Sequence, residues 1–415
     1  MKNAIGLVIV LALNLGCGAG PAQDSGVEVT QLTDRVYVLS TDQGEYTTNT
    51  IAFVGEDGIL LVDTQAEDDA EALRLAVDAF GRGTPKYIIN THRHVEHVGG
   101  NAIFGEAPIV IAHALVPEKL KSGSYLFDEF PDATFPDMTF CDSLSLYFNG
   151  ELVRIVAVPG SHDDNEIMVH FTESKVVHLS SLVNGFNFPS VDSDGDVLRF
   201  PELVARAIEL LPEDVVIVSG HNDTGTWRDL HTYHDMLVQT TDIVRAGLAE
   251  GKDLATLQAE NVLEAWKSYA GSYVSTDEWI EYLVGGLQPS DEPTKTVYEP
   301  LYYVWKDEGA DAALARYLEL RRDHPDEYKF DEFSLLVIGN KLLARDHVEN
   351  AVKFLAASLE EYPDSPYSYY TAYKLGAAYK SLGDKEQARR YGERSLELNP
   401  EFAAARALLE ELEEM

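Results

Sequence analysis

The chain has 415 residues, 45% of them hydrophobic, enough apolar matter for large cores and, at roughly 150 residues per domain, for two or three domains. With 70 acidic against 32 basic residues its formal charge is -38, so the average surface repels phosphate backbones and anionic headgroups, and nucleic acid is set aside as a partner. Such acidity describes a well-solvated surface or a saline habitat and by itself names no partner.

Lys2 precedes a twelve-residue apolar run from Ala4 to Leu15, short of the roughly 20 residues of a membrane-spanning helix and suited to the core of an export signal over residues 1–23. Export to the periplasm of a bacterium is the expectation. Leu13-Asn14-Leu15-Gly16-Cys17 is similar to a lipobox, with Asn14 at a place usually held by an apolar residue. Two fates follow: lipidation of Cys17, which makes the lipid the protein's one tie to a membrane, or cleavage after Ala22 and a free periplasmic form. The other cysteine, Cys141, then has no partner for a disulfide and is expected as a small buried side chain opening a strand from Thr139 to Phe148.

From Val36 to Gly220 short β-rich runs alternate with turns: Val36 to Leu39, Thr50 to Val54, Ile59 to Val62, Tyr87 to Ile89, Ile109 to Ile111, Leu152 to Val158, Ile167 to Phe171, Lys175 to Leu179 and Val215 to Val218. Glu56-Asp57-Gly58 reads as a hairpin turn, and helical spacing over Glu67 to Phe80 and Pro201 to Leu211 makes the region mixed α/β. After Thr226 the pattern is helical through Gly286, and residues 288–295, rich in Pro, Ser, Asp and Glu, read as a linker between a domain at 27–287 and another at 296–415.

The second domain contains an internal repeat. Gly339, Ala351 and Pro363 recur as Gly376, Ala388 and Pro400, each pair 37 residues apart, with gaps of 12 within each unit. The spacing, with Leu375-Gly376 and Tyr379, resembles the tetratricopeptide pattern, whose period is about 34 residues. A degraded copy has Ala313 and Pro325, with Leu301 where the Gly would stand, and Phe402 to Met415 reads as a capping helix. The resemblance implies an all-α repeat region that binds a protein or peptide partner.

The chemistry is concentrated in Thr91-His92-Arg93-His94-Val95-Glu96-His97, three imidazoles within six residues after a strand. His92 and His94 alternate in extended backbone and point the same way, and His97 reaches a second position once the chain turns into a helix. This crowding calls for a metal. The segment resembles the His-x-His-x-Asp-His signature of the metallo-β-lactamase superfamily, with Glu96 at the Asp position. Its companions follow in order: Asp63 after Ile59-Leu60-Leu61-Val62, His162 in Pro159-Gly160-Ser161-His162-Asp163, and His221 after Val218-Ser219-Gly220.

The resemblance implies an αββα sandwich and a catalytic Zn2+ held by His92, His94 and His162. It places a second zinc on Glu96, His97 and His221, with Asp63 hydrogen-bonding the site from behind and Ser181 where many family hydrolases carry a metal-bridging Asp. Because Glu is one methylene longer than Asp, the expectation is one tight zinc, a weaker second, and a gain for the second on Glu96→Asp. The implied activity is zinc-dependent hydrolysis of an ester, lactam or related small molecule by a metal-activated hydroxide, with a carboxylate at Glu96 or Asp63 orienting the water. The rival is a non-catalytic zinc-binding scaffold whose repeats hold a partner protein.

Overall fold

The computed structural model describes residues 26–42, 44, 46–121, 130–192, 194–271, 273–288 and 296–414. The expected export signal with Cys17, and all of the expected linker except Gln288, lie outside these residues. The chain divides into two compact units, one made of the residues up to Val116 with Pro131–Pro289 and the other of Pro117–Phe130 with Ser290–Met415.

In the first unit, strands β1 (Val27–Gln31), β2 (Val36–Asp42), β3 (Thr47–Gly55), β4 (Gly58–Val62), β5 (Tyr87–Ile89), β6 (Ile109–His113) and β7 (Met138–Phe140) lie side by side in chain order. The first four pair antiparallel and the last four parallel. The hairpin at Glu56-Asp57 closes on the pair Gly55 and Gly58.

A second sheet takes β8 (Ser143–Phe148), β9 (Glu151–Ala157), β10 (Ile167–Phe171), β11 (Val176–His178), β12 (Val216–Val218) and β13 (Gly225–Thr226), in the spatial order β13, β12, β11, β10, β9, β8. Its β11 and β12 are parallel and the other pairs antiparallel.

Period-two alternation assigns each strand two faces. Ile51 and Phe53 of β3 and Leu60 and Val62 of β4 join Val153 and Ile155 of β9 and Val169 and Phe171 of β10 in one core between the sheets. The opposite faces, with Ala52, Ile59 and Leu61, pack on Leu73 and Val77 of helix α1 (Ala70–Asp78). After α1 comes the single-turn α2 (Val95–Val98), and α3 (Val116–Lys121) belongs from Pro117 onward to the other unit. On the far side of the second sheet, α4 (Phe200–Leu210), α5 (Trp227–Ala249), α6 (Leu254–Ala259) and α7 (Thr276–Leu287) cover Met168, Val177 and Ile217 around the buried Trp279. The result is two mixed sheets sandwiched by helices.

Cys141 departs from its expected place. The expected strand over 139–148 is split between β7 and β8, which belong to different sheets, so the chain turns at this point and Cys141 lies exposed on the bend.

In the second unit, α8 (Tyr298–Glu308), α9 (Ala310–Asp323), α10 (Glu332–Ala344), α11 (Val348–Glu361), α12 (Ser368–Ser381), α13 (Lys385–Leu398) and α14 (Ala403–Glu414) form a helical repeat region. The repeat landmarks are packing sites. Ala313, Ala351 and Ala388 are buried on the second helices of successive pairs, and Leu301 on α8 stands fully buried at the place where the later first helices carry Gly339 and Gly376. A Cβ at Gly339 would lie 2.6 Å from the Leu355 side chain, so only glycine lets α10 and α11 approach this closely.

Candidate metal centre

The site is built from turns that follow strand ends. Asp63 follows β4, His92 to His97 follow β5, His162 follows β9, Ser180 and Ser181 follow β11, and His221 follows β12. Four non-glycine residues in these turns hold left-handed backbone: Asp63 (φ 65), Gln65 (φ 64), Ser180 (φ 54) and Asn222 (φ 59). Such conformations are costly and persist only where surrounding bonds dictate them. Asp63 shows how: its Oδ1 accepts from the Thr91 backbone N–H at 2.7 Å and its Oδ2 from the Thr91 hydroxyl at 2.8 Å.

His94 is extended (ψ 148) and α2 begins at Val95, so His92 and His94 come from strand-like backbone and Glu96 and His97 from the first turn of the helix. Gly99 and Gly100 end that helix against the Thr64 to Glu67 turn. A Cβ on Gly100 would lie 2.0 Å from the Thr64 carbonyl oxygen, which is why the motif closes on glycine.

The six side chains expected as ligands come together in two adjoining groups, His92, His94 and His162 in one and Glu96, His97 and His221 in the other, the ligand atoms in each within 4.8 Å of one another. In the first, His92 Nε2 is 3.0 Å and His162 Nε2 3.3 Å from His94 Nδ1. In the second, the Nε2 atoms of His97 and His221 are 3.3 Å apart. Glu96 faces both, with Oε1 3.9 Å from His94 Nδ1.

The outer nitrogens decide the tautomers. His94 Nε2 donates to Asp192 Oδ2 (2.9 Å), His97 Nδ1 to Asp63 Oδ2 (2.7 Å), His162 Nδ1 to the Ser190 carbonyl (3.0 Å) and His221 Nδ1 to the Thr47 carbonyl (3.2 Å). His92 Nδ1 lies 3.2 Å from the Thr91 hydroxyl and 3.3 Å from that of Ser180. With the outer positions occupied by acceptors, the inward nitrogens present lone pairs to one another, an arrangement that repels itself unless a cation lies among them. The donor set therefore fits a metal ion.

Electrostatics agree with that fit. Burial, and then the crowd of neighbouring imidazoles, holds His92 well below its ordinary range, and burial with His97 lowers His221 to about 3. Burial also lowers His94, against the pull of Asp192. His97 is the exception: burial works against its charge, yet Asp63 outweighs it and raises the imidazole. Burial would raise Glu96, but His94, His97 and His221 bring its carboxyl down to about 2. Neutral imidazoles at His92, His94 and His221 beside an ionised Glu96 are the protonation states a divalent cation requires, and His97 has to give up its proton to join them.

The three further residues that the resemblance placed at the centre, Glu96, Asp63 and Ser181, differ in their surroundings. Glu96 faces the nitrogens. Asp63 is fully buried with its oxygens committed to Thr91 and His97, so it holds a histidine rather than addressing the centre. Ser181 is buried and, among the described residues, its hydroxyl has no hydrogen-bond partner, and its neighbour Ser180 is the serine that reaches His92.

Several residues around the centre were not singled out by sequence. Asp192 and Ser190, from the segment before α4, receive His94 and His162. The rings of Tyr46 and Tyr273 pack 4.5 Å apart and lie 5.3 and 5.4 Å from that of His221, forming an aromatic wall on that side. Nothing in the local sequence marks them, because each arrives from a turn remote in the chain.

Two mixed sheets carrying a histidine-rich centre on their connecting turns define the metallo-β-lactamase fold. The family model of the metallo-beta-lactamase superfamily matches residues 44–221 and that of the tetratricopeptide repeat matches 369–402. The chain thus carries a metallo-beta-lactamase superfamily domain and a C-terminal tetratricopeptide repeat.

Among solved structures it is similar to a metallo-beta-lactamase from Pontibacter korlensis, with 20% identity over 51% of this chain and 98% of that one at a TM-score of 0.45. DIM-1 metallo-beta-lactamase gives 15% over 52% and 98% at 0.44. A double mutant of the sec-alkyl sulfatase PisA1 gives 14% identity at 0.53, covering 90% of this chain and 65% of that one, a likeness of fold that extends past the catalytic-type domain.

Proposed function

We propose that this chain is a metal-dependent hydrolase of small molecules, with zinc as the metal. The observation that carries the reading is the pair of adjoining donor groups with lone pairs converging from five imidazoles and one carboxylate. Three histidines suit a catalytic zinc with a position left open, and imidazole-rich sets suit zinc. His92, His94 and His162 would hold the first ion and Glu96, His97 and His221 the second. Zinc there would supply Lewis acidity and acidify a water molecule.

The chain's own residues supply the rest. Asp63 and Asp192 fix the orientations of His97 and His94. Glu96 is the carboxylate that faces the centre and the one placed to accept a hydrogen bond from water. Tyr46 and Tyr273 offer an apolar surface beside His221 on which part of a substrate can pack while an ester, lactam or related bond is presented to the donors. The repeat region is proposed to bind a protein or peptide, and the setting is proposed to be outside the cytoplasm, with Cys17 as the lipid-bearing residue.

The test is turnover of a panel of carboxylic esters, a chromogenic lactam and secondary alkyl sulfates by zinc-loaded protein, beside His94→Ala and chelator-treated protein. Turnover of one class that disappears in both controls is expected. Zinc binding without metal-dependent turnover of any class would overturn hydrolysis and leave a zinc-binding scaffold.

A further inference from the structure

We propose that Asp192 is the positioning residue of the first metal site, holding His94 in the tautomer and orientation that present Nδ1, as Asp63 does for His97 at the second. The inference rests on the metal-centre part of the functional reading and not on hydrolysis.

Three observations converge on it. First, His94 is the member of its group whose inward atom is Nδ1 rather than Nε2, since both His92 Nε2 and His162 Nε2 approach that atom. An imidazole used through Nδ1 presents Nε2 on its far side, and the acceptor found there is a carboxylate oxygen, Asp192 Oδ2, at 2.9 Å. A carboxylate accepts and cannot donate, so Nε2 must carry the hydrogen and Nδ1 the lone pair.

Second, Asp192 is itself held. Arg93, almost wholly buried between the two ligands His92 and His94, reaches Asp192 with Nη2 at 2.6 Å and Asp163 with Nε at 3.0 Å. Asp163 adjoins His162 in the chain. One guanidinium therefore ties the segment carrying two ligands to the segment carrying the third and to the carboxylate behind His94, in a buried setting where breaking such a pair is costly.

Third, the loop is bonded back onto the segment that carries His162. Asp192 N–H donates to the His162 carbonyl at 2.9 Å, and Asp196 N–H to that of Ser161 at 2.9 Å. A Cβ on Gly195 would lie 2.3 Å from the Ser161 carbonyl oxygen and 2.4 Å from that of His162. The same segment brings the Ser190 carbonyl to His162 Nδ1. A single stretch thus orients two of the three ligands of the first group and, among the described residues, none of the three in the second.

The experiment measures zinc affinity at each site by competition with a chromophoric chelator, together with the ligand-field spectrum of cobalt-substituted protein, in wild type, Asp192→Ala, Asp192→Asn, Asp63→Asn and Asp194→Asn. Loss of an outer carboxylate is worth about 10–100-fold in metal affinity. Asp192→Ala should weaken the first site by that factor and alter its cobalt spectrum while leaving the second site within twofold, and Asp63→Asn should do the reverse. Asp192→Asn, close in shape, keeps an amide oxygen towards His94 and should lose less than Asp192→Ala.

Asp194→Asn, on the same loop and 3.5 Å from Arg93, controls for loop charge and should change neither site. Equal loss at both sites, an unaltered first site in Asp192→Ala, or no zinc bound by wild type each overturns the proposal. Circular dichroism separates misfolding, and if Asp192→Ala fails to fold the decision passes to Asp192→Asn. Site-selective loss in a protein that hydrolyses nothing leaves this inference standing and removes only the hydrolase reading.

Discussion

Nδ1 of His97 donates to Oδ2 of Asp63 at 2.7 Å, and Asp63 reaches it from a backbone held at φ 65. A residue in that conformation turns its side chain back under the β5 loop instead of out into the centre, so a carboxylate at the end of one strand becomes the support of a histidine eight residues past the end of the next. The oxygens of Asp63 have three donors, two from Thr91 and one from His97.

Asp63→Ala should therefore destabilise the domain by about 1–3 kcal/mol, the cost of leaving buried donors unsatisfied, in addition to weakening the second site. Denaturant unfolding of metal-free protein reads the first effect without the second. A change below about 0.5 kcal/mol would mean that Thr91 and His97 find other acceptors.

Gly100→Ala tests the close approach of the α2 end to the strand β4 turn. The added methyl would sit 2.0 Å from the Thr64 carbonyl, so the α2 end or the Thr64 turn must shift, at a cost of about 1–3 kcal/mol typical of overpacking. Because Thr64 N–H and the Asn90 amide both bond the His97 carbonyl, that shift should also move His97 and reduce zinc stoichiometry from two towards one. Metal analysis after dialysis and the unfolding midpoint check both parts, and a variant as stable as wild type with two zincs would contradict them.

The strands legible in sequence were the buried ones, because apolar runs such as Ile59 to Val62 announce themselves. β1, mostly exposed, and β7, largely exposed at a sheet edge, carry little hydrophobic signal, and β13 is only two residues long. The histidines were legible because they fall at strand ends within short motifs. Asp192 was not: its bond to His94 spans 98 residues, and locally Asp192-Ser193-Asp194-Gly195-Asp196 looks like a solvated turn. The contact of Ser180 with His92 has a backbone cause, since the left-handed φ of Ser180 gives that side chain a direction that strand alternation would not predict. Likewise the alternation that suggested a single strand through Cys141 could not show the chain leaving one sheet for the other.

His170 on β10 gives a pH dependence away from the centre. It is buried opposite Arg154 of β9, and burial followed by that cation lowers its imidazole to about 4, with Glu151 pulling weakly the other way. The unfolded chain, with an ordinary value near 6.5, binds a proton that the folded chain refuses between pH 6.5 and 4. Stability contributed by the neutral form is thus complete above pH 6.5 and falls as pH drops to 4. Replacing His170 by Gln should flatten the unfolding midpoint over that window relative to wild type, and parallel midpoint curves for the two proteins would refute the assignment.

Glu96 is where sequence and geometry point in opposite directions. The longer side chain suggested a defective second site that Glu96→Asp would repair. In the structure Glu96 sits in the first turn of α2 and its carboxylate already shares a 4.8 Å group with His97 and His221, while Oε1 stands 3.9 Å from His94 Nδ1. The single-turn helix is held at its end by the Thr64 and Gly100 packing, so it cannot follow a shortened side chain inward, and a one-methylene withdrawal takes the oxygens away from the nitrogens. Zinc titration of wild type should accordingly show two sites. Glu96→Asp should weaken the second by about 10-fold or more, and Glu96→Gln, which removes the charge at constant length, should lose it while the first site, built from three histidines, is kept. The comparison of the two variants separates reach from charge: an Asp variant that binds the second zinc more tightly than wild type would restore the reading of Glu96 as a misfit, whatever the Gln variant does.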